Sequence, residues 1–148
     1  MNKEIAKERA DILKLEAVMQ DMDGYDPEGK TLCRITHWFA PGVYAREMFM
    51  PAGVLITGKI HKTEHLNILS QGKLSVSNQG ESITVEAPFT YVSPIGTKRA
   101  IYAHEDSTWT TIHATELKDP EEIEKEIIAE TFEEIDMLLE HEEMKRIT

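Results

Sequence analysis

Two histidines and two cations in the middle of the chain are the residues whose types and spacing could do chemistry. Lys59 and His61 lie two positions apart, and His65 and Arg99 follow further along the chain. Residues two apart on a β-strand point to the same side, so Lys59 and His61 could project together into one cavity. Imidazole is a ligand for transition metals, whereas lysine and arginine bind anions. The spacing therefore suggests two kinds of site, one that binds a metal ion and one that binds an anion.

The residues around these side chains resemble the first sequence motif of the cupin superfamily. Residues 53–72 read GVLITGKIHKTEHLNILSQG. The cupin motif places a glycine, two histidines separated by one residue, a glutamate and a second glycine at set intervals. The matching positions here are Gly53, Lys59, His61, His65 and Gly72. Lysine thus replaces the first histidine of the motif, and His65 replaces its glutamate.

The second cupin motif has a counterpart in PFTYVSPIGTKRAIYA, residues 88–103. The motif runs from a glycine through Pro-x-Gly to a histidine and an asparagine. The matching positions here are Pro88, Pro94, Gly96, Arg99 and Ala103. The glycines and Pro94 are turn residues, so they favour the fold and carry no information about the chemistry.

The resemblance implies a mostly β protein with a single cupin-type jelly-roll β-barrel, RmlC-like, and flanking N- and C-terminal α-helices. Short β-rich runs between turn signals indicate the same barrel at 31–115. We expect an N-terminal helix and linker at 1–30 and an acidic C-terminal helix at 116–148. Tight turns are predicted at Ser70-Gln71-Gly72 and Asn78-Gln79-Gly80. Because cupins commonly pair, the resemblance also implies a homodimer.

The two terminal segments carry helix signals of their own. Asp119 is a predicted N-cap, and Pro120 suits the first helical turn. The apolar face of the C-terminal helix either covers the barrel or forms a surface for self-association or a partner. It consists of Ile123, Ile127, Ile128, Phe132, Ile135, Leu138 and Leu139.

A metal site is one interpretation of the central histidines. The resemblance implies iron, manganese, nickel or zinc, with His61 and His65 as ligands in an enzyme of the oxygenase or isomerase type. A third ligand could come from one of three further residues: Glu64, His104 or His113. Strand alternation leaves His104 facing outward. Two cations beside the histidines would repel a divalent ion.

The leading hypothesis is a cupin-fold protein that binds a small anionic molecule in the barrel cavity. Ligand-binding residues would be Lys59, His61, His65, Arg99 and Tyr91, and the ligand a carboxylate, a phosphate or an acidic sugar. Alternatively, the cations pair with nearby carboxylates: Glu47, Glu81 or Glu86. A third hypothesis is a non-enzymatic scaffold or regulatory protein that acts through the helices at Ile5–Val18 and Ile123–Leu139. No catalytic residue can be assigned.

Composition excludes several classes of partner. The 148-residue chain has a formal net charge of −11, and thirteen acidic but four basic residues lie from Glu116 onward. Nucleic acid is not expected, because phosphate contacts need clustered lysine and arginine. No apolar run is long enough to cross a bilayer, and the charged N-terminus lacks the apolar core of a signal peptide. With Cys33 as its single cysteine, we expect a cytoplasmic protein without internal disulfides or membrane contact.

Overall fold

The structure is a computed structural model that describes residues 2–78 and 81–147. Its helices are α1 (Lys3–Met19), α2 (Pro120–Ile127) and α3 (Phe132–Ile147). Its strands are β1 (Arg34–Ala40), β2 (Val43–Met50), β3 (Leu55–Thr57), β4 (Ile60–His61), β5 (His65–Gln71), β6 (Lys73–Asn78), β7 (Glu81–Glu86), β8 (Phe89–Ser93), β9 (Ala100–Ala103), β10 (Ser107–Ala114) and β11 (Ile128–Ala129). The predicted turn at Asn78-Gln79-Gly80 lies partly outside the described residues.

Two antiparallel sheets form the body of the protein. One sheet has the order β1-β2-β10-β5-β8 and the other the order β3-β9-β6-β7. Strands that are distant in sequence pair with each other, since β10 lies between β2 and β5. This exchange of strands between two sheets is the jelly-roll arrangement, so the predicted mostly β fold with flanking helices is confirmed.

Period-two alternation in the strands builds the core between the sheets. In β10, the alternate residues Ser107, Trp109 and His113 are buried. The main apolar cluster joins residues from both sheets: Met48, Met50, Val54, Ile56, Leu69, Leu74, Val76, Val85, Ile101, Ala103 and Trp109. This cluster occupies one end of the space between the sheets, and the other end is left to polar side chains.

The N-terminal segment packs on the second sheet. Asn2 caps α1 by accepting a hydrogen bond from the backbone N–H of Ile5 at 2.9 Å. Ile12 and Met19 of α1 form a small core with Ala100 of β9. The chain then turns around the fully buried Asp26, whose carboxylate accepts backbone N–H bonds from residues 31–33. This carboxylate therefore sets the path of the chain into β1.

The C-terminal segment differs from the single predicted helix, because β11 separates α2 from α3. Asp119 caps α2 as predicted, accepting from the backbone N–H of Glu121 at 3.2 Å. The break arises where Ile128 pairs with His61 of β4 and Ala129 is buried beside Ile60. Strand pairing and burial of Ala129 outweigh helix continuation at this point. Among the described residues, no helix is long and apolar enough to cross a membrane.

Gly72, a motif position, provides a test of the fold. It has φ of +94°, and a Cβ there would lie 2.5 Å from the carbonyl oxygen of Asp106 and 2.7 Å from Cα of Ser107. We expect Gly72→Ala to lower the free energy of unfolding by more than about 2 kcal/mol, because steric overlap adds to the cost of positive φ.

Gly53→Ala is the matched control for this substitution. Gly53 has φ of +89°, and no atom of the described chain lies within 4 Å of the point that a Cβ would occupy there. It should therefore show only the backbone cost, about 1–2 kcal/mol. Urea denaturation of both variants measures the difference, and equal losses would contradict the close approach of β10 to Gly72.

Candidate ligand-binding site

A cavity of about 300 Å³ lies between the two sheets at the end covered by α2. The first sheet contributes one wall through β2, β10 and β5, and the facing wall comes from β3, β4 and β9. Helix α2 closes the mouth, where Ile123 and Ile127 pack on Tyr44. The C-terminal segment is therefore part of the site, and the apolar residues of α2 cover the cavity between the sheets.

The inner face of the five-stranded sheet is arranged in three rows by its register. The row at the mouth contains Tyr44, His113, His65 and Ser93. The middle row contains His37, Arg46, Thr111, Asn67 and Tyr91. The row at the floor contains Ile35, Met48, Trp109, Leu69 and Phe89. Polar side chains thus lie nearest the mouth, and apolar side chains close the bottom.

Three histidines from three different strands meet in this cavity. The ring centroid of His65 lies 4.2 Å from that of His61 and 4.7 Å from that of His113. The buried Nδ1 atoms of His61 and His113 have no hydrogen-bond partner within the described chain. The Nδ1 of His65 lies 3.0 Å from the carbonyl oxygen of Thr63, which orients its ring.

Burial keeps these imidazoles neutral near pH 7. Burial, reinforced by the other two histidines, lowers the pKa of His61 to about 3. Burial and then the proximity of His65 lower the pKa of His113 to about 4. Burial also lowers the pKa of His65. The cluster therefore offers neutral rings, each able to donate or accept a hydrogen bond according to its tautomer.

Arg46 lies in the middle row, beside His37 on β1 and Thr111 on β10. Its guanidinium lines the cavity and lowers the pKa values of both His61 and His113, although burial has the larger effect on each. No Asp or Glu carboxylate oxygen of residues 2–78 or 81–147 lies within 4.0 Å of its nitrogens. Arg46 thus brings a positive charge without an ion-pair partner in the described chain into the cavity.

Arg99 also lines the cavity, but its guanidinium is held by the protein. Its Nη1 donates to the carbonyl oxygen of Ser77 at 3.0 Å, and its Cζ lies 4.8 Å from the ring centroid of Tyr91. Tyr91 faces an adjoining cavity of about 160 Å³, which Arg99 also lines. The structure therefore places Arg99 in the main cavity and Tyr91 beside it, behind the guanidinium.

Lys59 connects three segments across the mouth. Its Nζ forms an ion pair with Glu124 of α2 and lies 3.7 Å from a carboxylate oxygen of Glu28. The ammonium of neighbouring Lys62 donates to the carbonyl oxygen of Lys125 at 3.2 Å. Lys59 lines the cavity, and its partners are Glu28 and Glu124 rather than the carboxylates suggested from the sequence. The ammonium of Lys59 is therefore engaged in ion pairs at the mouth and is not available to a ligand as an unpaired charge.

Comparison with solved structures identifies the architecture. The chain is similar to KdgF from Halomonas sp., with a TM-score of 0.52 and 17% identity over 61% of this chain and 85% of that one. It is also similar to the cupin domain of Schizosaccharomyces pombe Cnp3, with a TM-score of 0.50 and 20% identity over 66% and 72%. The protein has the cupin fold. At these identities the likeness establishes the fold alone.

The sequence comparisons add nothing further about this cupin-fold protein. No family model matches the chain, and no curated protein matches it. The class of ligand is therefore inferred from the side chains that line the cavity.

The histidine cluster does not fit the metal that the cupin resemblance implies. Among residues 2–78 and 81–147, no group of three or more His, Cys, Asp or Glu side chains is arranged to hold a metal ion. The planes of His61 and His113 differ by 10°, and that of His65 is tilted by 32° and 33° from them. The guanidinium of Arg46 would also oppose a divalent ion.

The structure places two further residues in the site. The sequence analysis did not propose Arg46, and it left His113 as one of three alternatives. Arg46 was missed, although it occupies the same parity as buried Tyr44, Met48 and Met50 in VYAREMFM. A cation among inward apolar positions is the signal that could have found it. His113 was one of three candidate third ligands, and the structure joins it to His61 and His65 while leaving His104 on the opposite face, bonded to Ser75.

The buried histidines predict a loss of stability in acid. Their pKa values in the folded state lie below the usual 6.5, so the unfolded state binds more protons between about pH 4 and 6.5. Stability should therefore fall as the pH is lowered from 7 to 5. Each of His61 and His113 should contribute about 2 kcal/mol to that fall.

The measurement is urea unfolding of wild type and of the His61→Gln, His113→Gln double variant at pH 7 and pH 5. The difference between the two pH values should shrink by several kcal/mol in the variant. His141→Gln, on the exposed end of α3, is the control for removal of an imidazole from the protein surface. A double variant with the same pH dependence as wild type would contradict neutral buried rings.

Proposed function

We propose that this cupin binds a small organic anion in the cavity between its sheets. The observation that carries the proposal is the guanidinium of Arg46, which lines the cavity without a carboxylate partner among the described residues. A partly buried cation without a counter-ion is costly, and a bound anion removes that cost. The proposal concerns binding, and no residue of the site is assigned a catalytic step.

The surroundings of Arg46 support an anion at this position. Arg99 lowers the pKa of His65 and Arg46 lowers those of His61 and His113, in each case alongside the larger effect of burial. Both guanidiniums therefore contribute positive charge to the same cavity. The Nδ1 atoms of His61 and His113, which have no partner in the described chain, can donate hydrogen bonds to an oxygen acceptor when they carry the proton.

Substitution of Arg46 tests the proposal. We expect Arg46→Met to weaken binding of a small carboxylate such as phenylacetate at least tenfold, because the charge-assisted contact is lost while side-chain volume is largely kept. Isothermal titration calorimetry with the wild type and the variant measures this change.

Arg34→Met is the matched control, since Arg34 lies on the neighbouring strand β1, is exposed, and has its guanidinium 5.1 Å from the ring of Phe49. It should bind phenylacetate as wild type does. Equal affinity in wild type and Arg46→Met would remove the basis of the proposal.

We also propose that the protein forms a homodimer through the outer face of the five-stranded sheet. One row on this face is apolar across all five strands: Trp38, Ala45, Ile112, Leu66 and Val92. The exposed fractions are 57% for Trp38, 42% for Leu66 and 52% for Val92. A continuous apolar row on a sheet face is self-complementary across a twofold axis, so a second copy would bury it.

A charge on this row should separate the two copies. We expect the Leu66→Glu, Val92→Glu double variant to sediment as a monomer at concentrations where the wild type is a dimer, because the substitution places like charges across the interface. Thr84→Glu, exposed on the second sheet, should leave the wild-type mass unchanged. A wild type that is monomeric at high micromolar concentration would contradict the dimer.

A further inference from the structure

We infer that the anion in the cavity is a monocarboxylic acid with a largely apolar body, rather than an inorganic anion or a sugar acid. This inference rests on the proposed function and names the class of ligand for that same site. It is carried by the charge, the volume and the layering of the cavity walls.

Four basic side chains line the cavity, and three of them are held by other groups of the described chain. Lys30 lies 2.7 Å from a carboxylate oxygen of Glu28. Lys59 is paired with Glu124 and Glu28 at the mouth. Arg99 donates to the carbonyl oxygen of Ser77 and lies over the ring of Tyr91. Arg46 has no carboxylate partner in the described chain. One free guanidinium matches one carboxylate, whereas a phosphate dianion or a dicarboxylate needs more positive charge.

The cavity is much larger than an inorganic anion. Its volume of about 300 Å³ equals that of roughly ten water molecules. A bound phosphate or acetate would fill a fraction of it and leave the remaining walls in contact with water. A ligand that fills the cavity must extend well beyond its acidic group.

Apolar side chains border the polar rows on both sides. Ile35, Met48 and Trp109 form the floor one row below Arg46, and Ile123 and Ile127 of α2 form the roof. Successive inward residues on a strand are about 7 Å apart, so the floor begins about 7 Å from the level of Arg46. A carboxylate at Arg46 would therefore place the next few carbon atoms of its ligand against the floor.

The facing wall is also apolar at this depth. Ile56 of β3 and Ile101 of β9 line the cavity opposite the floor row, and both belong to the main apolar cluster. The hydroxyl groups of a sugar acid would meet no hydrogen-bonding side chains from these two residues and would lose their hydration. The layering therefore selects an apolar body over a polyhydroxylated one.

The experiment compares ligands that vary the acid and the body separately. The probes are acetate, phenylacetate, 3-phenylpropionate, glucuronate, inorganic phosphate and the uncharged phenylacetamide, each titrated into the full chain by calorimetry. We expect 3-phenylpropionate to bind at least thirtyfold more tightly than acetate, because burial of each methylene contributes about fourfold and a phenyl ring more. Glucuronate and phosphate should bind no more tightly than acetate.

Fluorescence shows where the probe lies. The chain has two tryptophans, Trp38 on the outer face and Trp109 in the cavity floor. In a Trp38→Phe background, 3-phenylpropionate should change the emission of Trp109, and acetate should change it much less.

A pair of variants on one strand tests the apolar floor. Ile35→Asn introduces an amide into the floor, whereas Thr36→Asn introduces the same group on the opposite face of β1. Ile35→Asn should weaken 3-phenylpropionate at least tenfold and change acetate little, and Thr36→Asn should change neither. Because Ile35 lies on an edge strand and is half-buried, the variant is expected to fold, and its far-ultraviolet circular dichroism checks this.

The outcomes separate this inference from the proposed function. If phosphate or glucuronate binds as tightly as 3-phenylpropionate and Arg46→Met abolishes it, the anion site stands and the apolar ligand class is wrong. If phenylacetamide binds as tightly as phenylacetate and Arg46→Met changes neither, the anion proposal itself is wrong. Tight binding of the phenyl acids that needs both Arg46 and Ile35 supports both.

Discussion

The antiparallel register of β2, β10 and β5 is the constraint on which the site depends. It places Arg46 beside Thr111, Tyr44 beside His113 and, through β5, brings His65 next to His113. Because side chains alternate along a strand, a slip of one residue in either pairing would turn a whole set of polar groups out of the cavity. Burial of the apolar floor stabilises this register, because the same slip would expose Trp109 and Met48 to water.

The same register positions Tyr44, on which α2 packs to close the mouth of the cavity. The floor and the histidine row leave an open end, and α2 covers it with Ile123 and Ile127 against Tyr44. Lys59, at a position that resembles a metal ligand of cupins, forms an ion pair with Glu124 of that helix. This ion pair holds α2 over the cavity.

The electrostatics of the cavity explain why an anion suits it better than a cation. Burial holds His61 and His113 in the neutral form, so they add no charge of their own at pH 7. Of the charged side chains of the described chain that line the cavity, four are basic (Lys30, Arg46, Lys59 and Arg99) and three are acidic (Glu28, Glu121 and Glu124), which leaves a net positive charge. A net positive charge opposes a divalent cation, whereas a carboxylate gains from it.

The fold class, the motif frame and several local features follow from the sequence alone. Gly72 has the positive φ that its turn requires, and Asp119 caps its helix, because both depend on neighbours within a few residues. The sequence spacing suggested that Lys59, His61 and Arg99 point inward; all three line one cavity, with Lys59 and Arg99 just before β4 and β9. Which strands lie side by side, and so which polar groups meet, became known from the three-dimensional arrangement. That pairing brought Arg46 and His113 into the site and gave Lys59 its partner in α2, because register and sheet order are set by packing between segments far apart in the chain.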